Sequence, residues 1–159
     1  MVDLPTHVSR RNVALVVVDN VAFLVGLTFL GTTTVLPALI RLLGGSPVVI
    51  GLLGAIQTAG WYIPQLIAGR YVLNRSLVKA QVLVPAFAGR AFLILLVPAL
   101  LLSAGRAPEV ALAALLVALG AFFVCDAFSV VGWFELLVKV VPGSQRGRAL
   151  GVGQSLGSL

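Results

Sequence analysis

The sequence predicts an all-α integral membrane protein of four transmembrane helices plus the start of a fifth, and three observations lead there. Hydrophobic residues fill 60% of the 159 positions and charged residues only 10%, with a mean hydropathy of +1.11. A soluble domain carries about 25% charged residues to cover its exterior, so this composition calls for a nonaqueous surround. The apolar residues gather into runs of the ~20 residues that bilayer hydrocarbon requires at ~1.5 Å of rise per residue. The basic residues fall between those runs rather than along one helical face.

In chain order, a polar leader covers residues 1–12 and carries His7, read as solvated. The apolar run that follows it is too long for a secretory signal and lacks a small-residue cleavage pattern, so it reads as a retained span. Spans are expected at about 13–39, 48–68, 80–102 and 110–137, which with the start of a fifth form one partial N-terminal transmembrane domain over 13–159, after the cytoplasmic leader of 1–12. Gly44, Gly45, Ser46 and Pro47 break the chain after the first span, and Ser103, Gly105 and Pro108 mark the turn after the third. A fifth segment begins near Arg148 and ends nine to twelve residues later, too short to cross. Pro64 removes a backbone donor opposite the carbonyl of Gly60, so a bend is expected in the second span, with another near Pro98 and little at Pro85 in a first turn. Gly51, Ala55 and Ala59 give the second span a flat face, and Gly147, Gly151, Gly153 and Gly157 repeat the device in the fifth segment, which predicts close packing of those two.

Orientation follows from the eleven Lys and Arg, because basic residues near span ends are retained in the cytoplasm. Arg10, Arg11, Arg70, Arg75, Lys79, Lys139, Arg146 and Arg148 lie on one side, Arg41 and Arg106 on the other, and Arg90 within the third span. The reading is a multi-pass protein of the cell membrane, plasma or inner, with its amino terminus cytoplasmic. The same bias accounts for the net charge of +6, so no nucleic-acid partner is expected. One cysteine, Cys125, allows no internal disulfide and reads as a small packing residue.

Charge within hydrocarbon costs about 2.5–3.5 kcal/mol per residue, so Asp19, Arg90 and Asp126 are expected to face protein or a water-filled cavity. Counted from the cytoplasmic edge at ~1.5 Å per residue, all three come out roughly 12–18 Å deep, level enough to pair across helices. Nine residues at ~100° each turn Glu135 away from Asp126, which shares a face with Ser129 and Trp133, and leave Glu135 to meet the basic loop near Lys79 or Arg75. Asp19, Gly26 and Thr33 recur at seven and form a polar stripe with Asn20 and Thr34 beside it. Asp19, Asn20, Thr33, Gln57 and Asp126 are therefore the candidates for a substrate or coupling-ion cavity. Two readings stand open: Asp19 and Asp126 as cargo or proton-coupling groups with Arg90 as counter-ion, or Arg90 with one acid as a structural clamp. Thr32, Thr33 and Thr34 are read as hydroxyls bonded back to their own helix or as ligands.

The run "TTTVLPALIRLLGGSPVVIGLLGAIQTAGWYIPQLIAGR" through "VPGSQRGRALGVGQSLGSL" is similar to the first five spans of major facilitator superfamily transporters. The resemblance is carried by Leu36 and Pro37 ending the first span, the Gly-Ser-Pro turn before Ile50 and Gly51, the basic loop after the second span, and the Arg146-Gly147-Arg148 run before a glycine-rich helix. It implies a partial six-helix N-terminal bundle of a twelve-span secondary transporter, with cargo bound near the midplane by the first and fourth spans, beside Asp19, Asn20 and Asp126. The family's Gly-x-x-x-Asp-Arg loop is not matched: Gly69 is followed by Arg70, and the nearest counterpart of Asp-Arg is Asn74-Arg75, one place out of register. The Arg and Gln motif of proton-coupled exporters in the fourth span is absent as well.

The expected function is membrane transport of a small solute, with this chain a truncated or partial N-terminal half. Its partners would be the lipid bilayer, an unknown small-molecule substrate, and either the missing spans or further copies of itself. The alternative is a small four-span oligomeric protein acting as scaffold or assembly subunit without transport. Neither reading calls for a cofactor or a metal, and no enzyme is expected, since the sequence shows no nucleophile with a base and no phosphate-cradling loop. If the apolar runs lie in lipid, extraction from cells requires an amphiphile; a chain that stays folded and monomeric in plain buffer by gel filtration and circular dichroism overturns the reading.

Overall fold

The structure, a computed structural model, describes the backbone of residues 6–72 and 78–158 and the side chains of 10–70 and 78–158. The described residues form helices and no strand: α1 Thr6–Leu30, α2 Val35–Leu42, α3 Pro47–Val72, α4 Lys79–Ser103, α5 Pro108–Val140 and α6 Gly143–Gly157. Four stretches are long and apolar enough to cross a membrane, Arg10–Leu42, Pro47–Arg70, Lys79–Ser103 and Pro108–Val140. Their apolar side chains point outward to an extent no soluble protein tolerates, as at Phe29 and Leu101, each 80% exposed. The chain is a multi-pass membrane protein.

Three boundaries differ from the expected ones. The first span is broken: α1 starts at Thr6, inside what reads as a leader, and ends at Leu30. A turn over 31–34 then precedes α2. Gly31 adopts a positive φ of 42°, which ends the helix at little steric cost. Thr32, Thr33 and Thr34 occupy the turn, so Thr33 leaves the helical stripe that Asp19 and Gly26 share. At 25 residues α1 is about 37 Å long and already sufficient to cross before the break. The third difference is α6, which starts at Gly143 and not near Arg148. Helix α3 continues through Pro64, and α4 through Pro85 and Pro98.

The chain divides into two compact units. One covers 32–133. In it α2 closes on a Schellman turn, with Gly44 at φ 76°, its amide donating to the Arg41 carbonyl at 3.0 Å and the Gly45 amide to the Ile40 carbonyl at 2.8 Å. A Cβ on Gly45 would collide with the Ile40 side chain, so a second glycine is needed there. Half of the apolar core of this unit comes from α5, through Ala111, Leu115, Ala118, Leu119, Phe122, Phe123 and Ala127. Burial of apolar surface brings no transfer gain in lipid, and association rests on close packing and interhelical hydrogen bonds. Accordingly α3 meets α5 through reciprocal glycines: a Cβ on Gly60 would lie 3.2 Å from the Phe123 Cβ, and one on Gly120 would lie 3.2 Å from Ile56 Cγ2.

The other unit joins α1 to the end of α5, from Phe134, and to α6. Helix α6 lies against α1 at Gly153 and Gly157, where an added Cβ would meet the Asn20 side chain at 3.0 Å and the Leu24 Cβ at 2.8 Å. A Cβ on Gly51, Gly147 or Gly151 would meet nothing within 4 Å. The matched steps, Asn20 to Leu24 and Gly153 to Gly157, run the same way, so α1 and α6 are parallel.

The α5–α6 junction is held by a side chain. Pro142 has no N–H for the carbonyl of Val138, four residues back. Arg146 supplies the donors instead, Nη2 to the Val138 carbonyl at 2.7 Å and Nε to the Val141 carbonyl at 2.9 Å. Asn12 of α1 donates to the Val140 carbonyl at 3.0 Å. The guanidinium thus caps the negative end of α5 as well as satisfying it. Arg146→Ala should destabilise the chain by about 1.5–3 kcal/mol, the range for hydrogen bonds to charged groups, in thermal unfolding in detergent. Arg146→Lys should recover only part, because a point ammonium cannot match a forked pair of acceptors; full recovery would show that charge alone matters.

Candidate functional site

The candidate site lies in the 32–133 unit, along the seam of α4 and α5. Two glycines bring these helices together: a Cβ on Gly89 would stand 3.1 Å from the Cys125 Cβ, and one on Gly132 would stand 3.0 Å from Val82 Cγ2. Residue 89 pairs with 125 and residue 82 with 132, so the helices run antiparallel, as their short connection requires. Cys125 is a packing residue at this approach, the role expected of it.

Polar groups collect between the two glycines. Ser129, buried, donates to the Val82 carbonyl at 3.0 Å, an interhelical bond. One turn away Asp126 is only 5% exposed, and its Oδ2 has no hydrogen-bond partner. The Gln81 side-chain oxygen is likewise buried without a partner. Arg90 acts on Asp126 as a favourable charge, yet its Nη1 donates to the Ala86 carbonyl of its own helix at 2.9 Å. The pair is therefore electrostatic and not a closed salt bridge. A carboxylate deep in an apolar helix with an open oxygen and a cation held nearby can receive a proton, a cation or a polar cargo group.

The other sequence candidates are distributed as follows. Gln57 on α3 donates a long 3.5 Å hydrogen bond to Thr32 Oγ1, tying that helix to the turn before α2. Thr33 is exposed in the same turn. Thr32, Thr33 and Thr34, expected to bond back to their own helix, lie in the turn instead; the back-bonded hydroxyls are those of Thr28 and Thr58, which donate to the carbonyls of Leu24 and Gly54 at 3.0 and 2.9 Å. In the other unit Asp19 is exposed, while Asn20 packs against Gly153 with its side-chain oxygen buried and unpartnered. Glu135 pairs with Lys139 on its own helix at 3.3 Å. Arg75 lies outside the described residues, Arg70 and Lys79 are exposed, and Arg146 is the junction clamp described above.

Ser129 is prominent in the structure and was read only as a face-mate of Asp126; its acceptor on α4 could not be read from spacing within one helix. Compared with family models, with curated proteins and with solved structures, the chain matches none. Ser129→Ala should lower stability by about 0.6 kcal/mol, the mean for interhelical hydrogen bonds in membranes, and by no more than about 1.7, in unfolding from mixed micelles. A larger loss would mean that Ser129 holds more than the Val82 carbonyl.

Proposed function

We propose that the chain forms part of a secondary transporter of a small solute, of the major facilitator type, and that Asp126 is the side chain that meets the cargo or the coupling ion. The observation carrying this reading is the state of Asp126: a carboxyl 5% exposed, in a helix apolar enough to cross a membrane, with one oxygen left without a partner. An ionisable group in that position is costly, and a structural role would repay the cost by closing a direct ion pair. Arg90 instead spends a donor on the Ala86 carbonyl, so the carboxyl stays open to a ligand. The resemblance of the sequence to the first spans of that superfamily supports the same reading and assigns cargo contact to the fourth span, which is α5.

Chain-dependent flux is the test. Membrane vesicles from producing cells, with and without the chain, are screened against sugars, amino acids, organic anions and cations. Asp126→Asn should reduce the flux of whichever solute responds by at least about tenfold, the equivalent of one charge-assisted hydrogen bond of about 1.5 kcal/mol, with membrane insertion unchanged. Asp19→Asn tests the second acid in the same vesicles. Equal flux of every solute with and without the chain defeats the transport reading, and co-purification with a larger complex in that case favours a scaffold or assembly subunit.

A further inference from the structure

In the unit they share, the parallel helices α1 and α6 enclose a groove of about 490 Å³, within the ~300–1,000 Å³ range of small-molecule sites. Its lining is divided by chemistry. Arg10 and Arg148 stand at the end nearest the two helix starts, and Val13, Val17, Ala149 and Val152 continue the groove along both helices. Gln145 joins the arginines, and among the described residues no carboxylate lines the groove. Both arginines are exposed, and among the described residues neither makes a hydrogen bond or an ion pair, unlike Arg146, which donates to the carbonyls of Val138 and Val141. Arg10 precedes the apolar run that begins at Val13, so the valine floor leads from the two cations into the stretch apolar enough to cross a membrane.

We propose that this groove binds an anionic phospholipid, its phosphate recognised by Arg10 and Arg148 and an acyl chain lying along Val13, Val17 and Val152. The charge complementarity is one-sided, two cations with no acid among them, which selects an anion. The apolar track leading from those cations into the span selects an anion with a hydrocarbon tail over a free one. Guanidinium groups suit phosphate because their fork of donors matches its oxygens, and basic pockets between membrane helices on the cytoplasmic side are where such headgroups are held. The proposal needs a membrane position and is independent of transport.

The test uses the whole chain purified in a neutral detergent and doped with phosphatidylglycerol or phosphatidylcholine, with retained lipid read by native mass spectrometry. Phosphatidylglycerol should be retained and phosphatidylcholine lost. The double substitution Arg10→Gln with Arg148→Gln should weaken retention about thirtyfold, at about fivefold per basic group near a membrane surface, whereas Arg41→Gln with Arg106→Gln should leave it unchanged. Val17→Trp fills the apolar track with charge preserved and should also weaken retention, which keeps the test decisive if the double variant fails to fold. Excess inorganic phosphate should not displace the lipid. Equal retention of the two lipids, undiminished retention in either groove variant, or displacement by inorganic phosphate would overturn the proposal.

Discussion

Where lipid surrounds a chain, a backbone carbonyl that its own helix leaves unpaired has no water to fall back on, and this requirement governs how the helices here can stop and bend. Two of the interruptions are answered by named donors. Pro142 releases the Val138 carbonyl, and Arg146 takes it. The end of α2 turns on Gly44 and Gly45, whose amides return to Arg41 and Ile40. The final carbonyls of α5 are shared between Arg146 and Asn12, which draws α1 and α6 onto the same helix end. Without those donors the junction would carry unsatisfied groups costing about 1–3 kcal/mol apiece, and α6 would have no fixed direction.

Once the helices are set, glycine decides where they meet. Gly60 and Gly120 join α3 to α5, Gly89 and Gly132 join α4 to α5, and Gly153 and Gly157 join α6 to α1. The second of these seams has a functional consequence. Backbones held that close at both ends leave room between for short polar side chains, Ser129 bonded across to Val82 and Asp126 with an oxygen open. Packing that makes the unit cohesive therefore also creates its one costly group, a division often found where membrane proteins hold an ion or a cargo.

Much of the architecture was legible in the residues. The existence of four crossing stretches follows from length and apolarity, and α3, α4 and α5 begin and end within a few residues of the expected places because Pro47, Lys79 and Pro108 mark their starts. The break at 31–34 was not legible, since Thr32, Thr33 and Thr34 fit a helix by their own hydroxyl bonding and the apolar run continues past them. Helix α6 was shortened for a related reason: its first turn, with Ser144, Gln145 and Arg146, is too polar for a hydropathy reading. The pairing of Glu135 with Lys139, four residues on, follows the ordinary helical rule and was legible in the spacing.

By itself the sequence determined the solvent and the class of fold, because 60% apolar residues in runs of spanning length leave a chain no stable place but lipid and no backbone solution there but helix. It also named the ionisable residues inside the spans. Which of them are buried, and against what, belonged to the tertiary structure: Asp126 faces α4 with Asp19 exposed, and the glycines of α6 that matter are Gly153 and Gly157, not Gly147 and Gly151. The physical reason is that periodicity gives the angle of a side chain about its own helix axis, whereas burial depends on which neighbouring helix stands at that angle, a fact carried by contacts between residues far apart in the chain.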